Sequence, residues 1–263
     1  MAGNSGKSGV LDCFHELSRQ TEKDVKSIIR MQFITKSVLF SCLIFFGSSL
    51  FAQKSLTTVG IQYKPIFPID FLGTGPLTNE FDGVQFKNEL TSGFSFGLII
   101  RHQFTDVIAI EGGINYVKRK FDLTFSDADF VGNSQFRIIG YEIPLTAMFF
   151  TRVSENIYVN GALGPACDMF ASSILTYDEY FSHVASRKQI FNPAINGNVG
   201  FEYRTKKNGT IYLGASYHRP FSYIYVDKAR YTYRGKDVGA VSFIVGSYLT
   251  IDLRYYFHEE KSK

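Results

Sequence analysis

Residues 91–121 read TSGFSFGLIIRHQFTDVIAIEGGINYVKRKF. In the first half Phe94, Phe96, Leu98, Ile100 and Phe104 share one face of an extended chain, and Ser95, Gly97, Arg101 and Gln103 share the other. In the second half Ile108, Ile110, Ile114 and Tyr116 oppose Ala109, Glu111, Gly113 and Asn115. A period of two predicts a pair of strands, and Thr105-Asp106 between them predicts a hairpin. The polar face carries the glycines as well as the charges. That suits the narrow interior of a small barrel, which leaves the apolar face to meet lipid. A water-soluble barrel would place these faces the other way round.

The same texture recurs in eight segments, at about 57–67, 91–104, 107–121, 136–152, 156–170, 194–205, 210–225 and 240–257. Short connections fall at Thr105-Asp106, at Val153-Ser154-Glu155 and at Lys206-Lys207-Asn208-Gly209. Long ones fall at 68–90, 122–135, 171–193 and 226–239. Alternating short and long connections are the mark of an eight-stranded antiparallel up-and-down transmembrane β-barrel, with tight periplasmic turns and extended outer loops. In hydrocarbon every backbone N–H and C=O must be paired, so the sheet is expected to close. Eight strands leave a lumen that side chains fill, and no wide aqueous pore is expected.

Composition agrees. Of 263 residues 45% are hydrophobic and 20% charged, a balance that argues against disorder. The formal charge of +4 is too small and too scattered for a nucleic-acid surface. Tyr and Phe supply all the aromatics, Trp being absent, so they alone are available for interfacial girdles.

Upstream, 31–53 reads MQFITKSVLFSCLIFFGSSLFAQ. Lys36 gives a basic start, an apolar run follows, and small residues precede Ala52. This is the pattern of a secretory signal peptide cleaved between Ala52 and Gln53, leaving 53–263 as the barrel. Residues 1–30 do not fit that pattern and read as a mis-called or disordered extension, with Met31 as the natural start. The apolar run continues past Cys42, which argues against lipidation there. Cleavage after Ala52 would leave Cys167 alone, so no internal disulfide is expected.

Seven charges fall on inward positions: Arg101, Glu111, Glu142, Glu202, Arg204, Asp252 and Arg254. All but Glu142 lie near a short turn or the C-terminus, which predicts one layer at the periplasmic end. A mutually paired structural filling of the lumen is favoured over a gate, because an unpaired buried charge costs several kcal/mol. The histidines after Ala52 are His102, His183, His218 and His258. None has a Ser and an acid at motif spacing, so no catalytic residues and no enzyme are expected. No metal-ligand spacing and no cofactor motif occur. The acidic run Tyr177-Asp178-Glu179-Tyr180 is a weak candidate for Ca²⁺ and reads more simply as a solvated loop. The long loops are rich in Tyr, Phe and Arg, as recognition surfaces and headgroup anchors both are.

Several pieces together carry a family likeness: Phe51-Ala52-Gln53, Val59-Gly60-Ile61, Tyr141-Glu142-Ile143-Pro144-Leu145, Gly161-Ala162-Leu163-Gly164-Pro165 and the ending Tyr255-Tyr256-Phe257. The chain resembles the PorT-like outer-membrane β-barrel domain family of the Bacteroidota. The resemblance implies an eight-stranded outer-membrane barrel and no reaction. Ile251, Leu253, Tyr255 and Phe257 alternate outward like the C-terminal signal read by the barrel-assembly machinery. The expected partners are therefore outer-membrane lipid, that machinery, and a ligand or protein at the outer loops. A structural or binding role comes first. A secretion- or transport-associated barrel and a lipid-modifying enzyme are the alternatives.

Overall fold

The computed structural model describes residues 56–68, 73, 75–177, 180–205 and 207–258; Ala52, Gln53, Asp178 and Glu179 lie outside them. Thirteen strands occur among these residues: β1 (Leu56–Phe67), β2 (Leu77–Phe81), β3 (Val84–Gln103), β4 (Ile108–Ser126), β5 (Val131–Arg152), β6 (Ile157–Phe170), β7 (Ile174–Tyr177), β8 (Phe181–Arg187), β9 (Phe191–Arg204), β10 (Thr210–Pro220), β11 (Tyr225–Tyr233), β12 (Lys236–Ile244) and β13 (Tyr248–Tyr256).

Eight of them close a ring. β1, β3, β4, β5, β6, β9, β10 and β13 each pair antiparallel with the next, and β1 pairs with both β3 and β13. The barrel is all-β, antiparallel and up-and-down, and closure removes the sheet edge that hydrocarbon forbids. Two of the three short turns are tied by hydroxyls, and at the third Arg152 donates to Ser154 O and Glu155 O at 3.1 and 3.3 Å. Thr105 Oγ1 accepts from the N–H groups of Val107 and Ile108 at 3.2 and 3.0 Å, and Thr205 Oγ1 accepts from Asn208 N–H at 2.9 Å.

The barrel wall is apolar outside and polar inside. Leu98, Leu145, Val199 and Leu213 are each more than half exposed, whereas Asn115, Glu202 and Asp252 are fully buried. That inversion defines a barrel built for lipid.

The long connections are not loops. β2 adds to the projecting end of β3, while β7, β8, β11 and β12 form a second sheet in the order β12-β11-β8-β7. The projecting ends of β3, β4 and β5 share a core with this sheet, built from Phe86, Leu123, Phe125, Phe136, Phe181, Ala229, Tyr231 and Val238 among others. The result is a two-layer β head at the end opposite the short turns. Asn79 on β2 donates to Ser242 Oγ on β12 at 2.8 Å, joining the layers along one side.

Strand β4 shows where the barrel ends and the head begins. Its inward side chains run Ala109, Glu111, Gly113, Asn115, then Val117, Arg119, Phe121, Leu123, Phe125. Its outward ones run Ile108, Ile110, Ile114, Tyr116, then Lys118, Lys120, Asp122, Thr124. Polar-in and apolar-out becomes apolar-in and polar-out near Lys118. From Ile108 to Lys118 the strand covers about 25 Å at ~3.3 Å per residue and ~40° tilt, the height of a barrel's apolar band.

Several segment boundaries differ from the sequence reading: β3, β4 and β5 run beyond 91–104, 107–121 and 136–152 to Val84, Ser126 and Val131, and two more segments change near the C-terminus. The segment read as one strand over 240–257 is two, because Gly246 turns the chain at φ 78° between β12 and β13. Val241 and Phe243 accordingly sit on the outer face of the head sheet. The segment read as 210–225 stops at Pro220, and Tyr225 starts β11.

One close approach requires glycine. Gly200 and Gly214 stand opposite each other, and the Tyr212 ring lies against both. A Cβ at Gly200 would sit 2.5 Å from Leu213 O and 2.6 Å from Tyr212 Cζ. Gly200→Val is expected to destabilise the barrel by about 1–3 kcal/mol through overpacking. The check is loss of the heat-sensitive fast-migrating band in cold-loaded gels, with Thr210→Val as a control nearer the turn.

Candidate functional site

The lumen holds two polar layers. The one nearer the short turns is a connected ion network. Arg101 and Glu111 stand directly opposite on β3 and β4 and meet at 3.0 Å. Arg101 also reaches Glu202 at 2.6 Å, and Arg204 meets the other oxygen of Glu202 at 3.1 Å. Arg254 bridges Glu111 at 2.5 Å and Asp252 at 2.6 Å. Lys64 on β1 adds a contact to Asp252 at 3.3 Å. Tyr256 donates to Glu111 at 2.5 Å and offers its ring to Arg101, whose guanidinium carbon lies 3.8 Å from the centroid.

Glu142 lies apart from that network, in the second layer. Its carboxylate accepts from Asn115 at 3.1 Å, from Asn196 at 2.9 Å and from the Tyr248 hydroxyl. His218 Nδ1 is 3.2 Å from Glu142, and its Nε2 is 2.9 Å from Asp168. Arg119 approaches Asp168 at 4.0 Å and donates to Gly246 O at 2.7 Å.

Four of these groups, Lys64, Arg119, Asp168 and His218, were not singled out from sequence as partners of the charge set. All occupy inward parity on their strands, and that parity was the available signal. Motif spacing alone misses His218, because no acid lies near it in sequence. Its acids come instead from β5 and β6, across the lumen. His183, read as a loop residue, is fully buried on β8 with Nε2 2.5 Å from Asp227. Asn88 donates to the other Asp227 oxygen at 3.0 Å.

Glu142, Asp168 and His218 place one ligand atom each within 4.8 Å of one another, enough to ask whether they suit a metal. The chemistry of the set suits mutual pairing better. Across the two layers the five carboxylates Glu111, Glu142, Asp168, Glu202 and Asp252 face five cations, Lys64, Arg101, Arg119, Arg204 and Arg254. No excess negative charge is left for a divalent ion, and Arg119 already faces the Asp168 carboxylate.

At the short-turn mouth a cavity of about 210 Å³ is lined by Thr58, Gln103, Arg204 and Thr210 among others, and also by Arg101 and Tyr256. Those last two side chains are nearly inaccessible and close the lumen behind it.

The tip of the head is held by exposed ion pairs. Lys236 Nζ meets both oxygens of Asp127, at 2.8 and 2.7 Å, and Arg230 forks onto Asp237. The hydrogen bond from Lys236 holds the Asp127 carboxyl below the ordinary carboxylate range, and Arg230 does the same to Asp237. A depressed carboxyl stabilises above its unfolded value and loses that contribution as pH falls through its folded one. Protection of the amides at the Tyr233–Lys236 turn, read as exchange relative to the intrinsic rate at each pH, is therefore expected to fall below about pH 4, near the unperturbed Asp value, and modestly because the pairs are exposed. Asp127→Asn should remove the Lys236 part of that pH dependence and leave the part that Asp237 contributes through Arg230.

No protein-family model matches the chain, and no curated protein does. Solved structures with a similar fold are outer-membrane barrels. OprG of Pseudomonas aeruginosa is 15% identical over 77% of this chain and 96% of its own, with TM-score 0.48. Ail of Yersinia pestis, solved with the heparin analogue sucrose octasulfate, is 14% identical over 78% and 100%, with TM-score 0.35. The outer-membrane protease OmpT of Escherichia coli is 10% identical over 77% and 96%, with TM-score 0.39. The chain is an eight-stranded transmembrane-type barrel with a charge-filled lumen and a β head.

Proposed function

We propose that this chain is an outer-membrane protein of the PorT-like kind whose barrel anchors the β head, and that the head is the surface that binds a ligand or partner. The signal segment 31–52, cleaved between Ala52 and Gln53, delivers it. The barrel-assembly machinery reads the final strand, where Tyr255 and the half-exposed Phe257 stack edge to face at 5.4 Å.

The observation that carries this reading is the division of labour between the two ends. The barrel spends its interior on a self-paired ion network, with Arg101, Glu111, Glu202, Asp252 and Arg254 buried against one another. The head has an aromatic core that it shares with the projecting ends of the barrel strands, and it carries Lys228, Arg230, Thr232 and Val241 outward. A non-enzymatic role is supported by the burial of His183 and His218 and by the engagement of both His218 ring nitrogens.

Purified protein in planar bilayers is expected to give no unitary conductance steps. Sustained steps that vanish on chain removal would favour the transport-associated alternative. An epitope placed at the Arg234-Gly235 turn is expected to be labelled on intact cells, and labelling only after cell disruption would reverse the orientation.

A further inference from the structure

We propose that Lys118, Lys120 and Arg137, on the outer wall just above the apolar band, bind the phosphate of an anionic lipid in the outer leaflet. This site rests on the outer-membrane reading above and adds a specific lipid contact to it.

Depth comes first. An aromatic row crosses the wall at the top of the apolar band: Tyr63 to Phe94 at 6.2 Å, Phe94 to Tyr116 at 6.1 Å and Tyr116 to Tyr141 at 6.0 Å between ring centroids. Such a row marks the lipid interface. Lys118 stands opposite Phe94 on one side and Ile139 on the other, with its Nζ 5.9 Å from the Phe94 ring centroid. Lys120 and Arg137 stand one rung farther out, directly opposite each other on β4 and β5. One rung is two residues, about 5 Å of height at the tilt used above, which is headgroup depth.

Charge comes second. Like charges directly opposite on an antiparallel pair repel. Lys120 and Arg137 are nonetheless exposed together, and neither they nor Lys118 make a salt bridge among the described residues. The carboxylates Glu89 and Asp122 stand opposite each other one rung beyond, and Glu89 is held by Lys87 at 2.5 Å. An anion between the three cations removes the repulsion. The Arg137 guanidinium suits two phosphate oxygens at once, while each ammonium acts as a point charge.

The source is a lipid because the aromatic row lies directly beneath the cations. A ligand that fits both carries acyl chains below and phosphate above. Basic residues at such a surface each contribute about 1 kcal/mol toward anionic lipid.

The test uses the full barrel folded in a neutral polyoxyethylene detergent, with thermal unfolding followed by circular dichroism. Diphosphoryl lipid A is expected to raise the midpoint of the wild-type barrel by about 5 °C at saturation. K118Q/K120Q/R137Q is expected to keep the lipid-free midpoint within a degree or two and to lose at least two thirds of the rise, whereas Lys228→Gln on the head keeps it all. Dephosphorylated lipid A and inorganic phosphate at equal concentration are expected to give little or no rise. A full rise in the triple variant, or with dephosphorylated lipid, would overturn the site. A full rise with inorganic phosphate would make it a soluble-anion site and overturn the lipid assignment. Insertion into phosphatidylcholine vesicles, read as protease resistance, is scored separately. Insertion without phosphate discrimination defeats this site alone, and failure to insert defeats the outer-membrane reading with it.

Discussion

Glu111→Gln is expected to destabilise the barrel by about 3–5 kcal/mol, the cost of leaving buried cations without their partner. Glu111 is the hub of the lower lumen layer. It takes Arg101 through Nη2 at 3.0 Å and Nε at 3.2 Å, Arg254 at 2.5 Å and the Tyr256 hydroxyl at 2.5 Å. Its removal leaves Arg101 with Glu202 and Arg254 with Asp252, and the balance of five against five is lost. Those remaining carboxylates soften the loss and set the lower end of the range. Arg101→Met on top of Glu111→Gln restores the balance, so the double variant should be more stable than the sum of the single effects predicts. A coupling of about 0.5–3 kcal/mol is expected from urea unfolding in vesicles. Strict additivity would mean that the two side chains do not act as a pair.

The second large effect belongs to the head. Phe125 is fully buried between the layers, stacked on Phe181 at 4.8 Å and on Tyr231 at 6.5 Å, with Phe86 edge-on at 5.5 Å. Phe125→Ala is expected to cost about 3–5 kcal/mol, the usual price of emptying an aromatic core position. The loss should fall on the head alone. The second sheet, β7, β8, β11 and β12, has no barrel strand among its paired members and depends on this core. Limited proteolysis of the vesicle-inserted variant should therefore cut between 171 and 190 or between 221 and 247 while the eight barrel strands stay protected. Simultaneous loss of barrel and head would show that the two unfold as one unit.

The barrel was legible because lipid imposes one rule on every wall strand. Phe96, Leu98 and Ile100 point out, Gly97 and Arg101 point in, and the parity can be read without knowing any partner. The head was not legible by the same rule. Beyond Lys118 the solvent changes from lipid to water, so Phe121, Leu123 and Phe125 face inward at the same parity as Glu111. A reader following polar-in and apolar-out sees the pattern fail there and concludes that the strand has ended. The strand instead continues with its two faces exchanged.

The lumen divides in the same way. Arg101 and Glu111 are neighbours across one short turn, so register alone brings them together. Glu142 and Asp168 stand opposite each other on the consecutive strands β5 and β6, but His218 reaches them from β10. Lys64 reaches Asp252 across the β1–β13 seam that closes the ring. Sequence parity places each of these side chains inside, but only the closed barrel decides which ones touch.

The central claim is that the apolar wall faces lipid while the head faces water. Spin labels at Leu145, Val199 and Leu213, and at Thr232 on the head, in a Cys167→Ala background inserted into vesicles, test it directly by collision with oxygen and with a water-soluble nickel chelate. Wall labels dominated by oxygen collisions and a Thr232 label dominated by the nickel chelate are the expected result. Nickel accessibility at Leu145, Val199 and Leu213 equal to that at Thr232 would mean that the wall is solvated, and would contradict the transmembrane barrel.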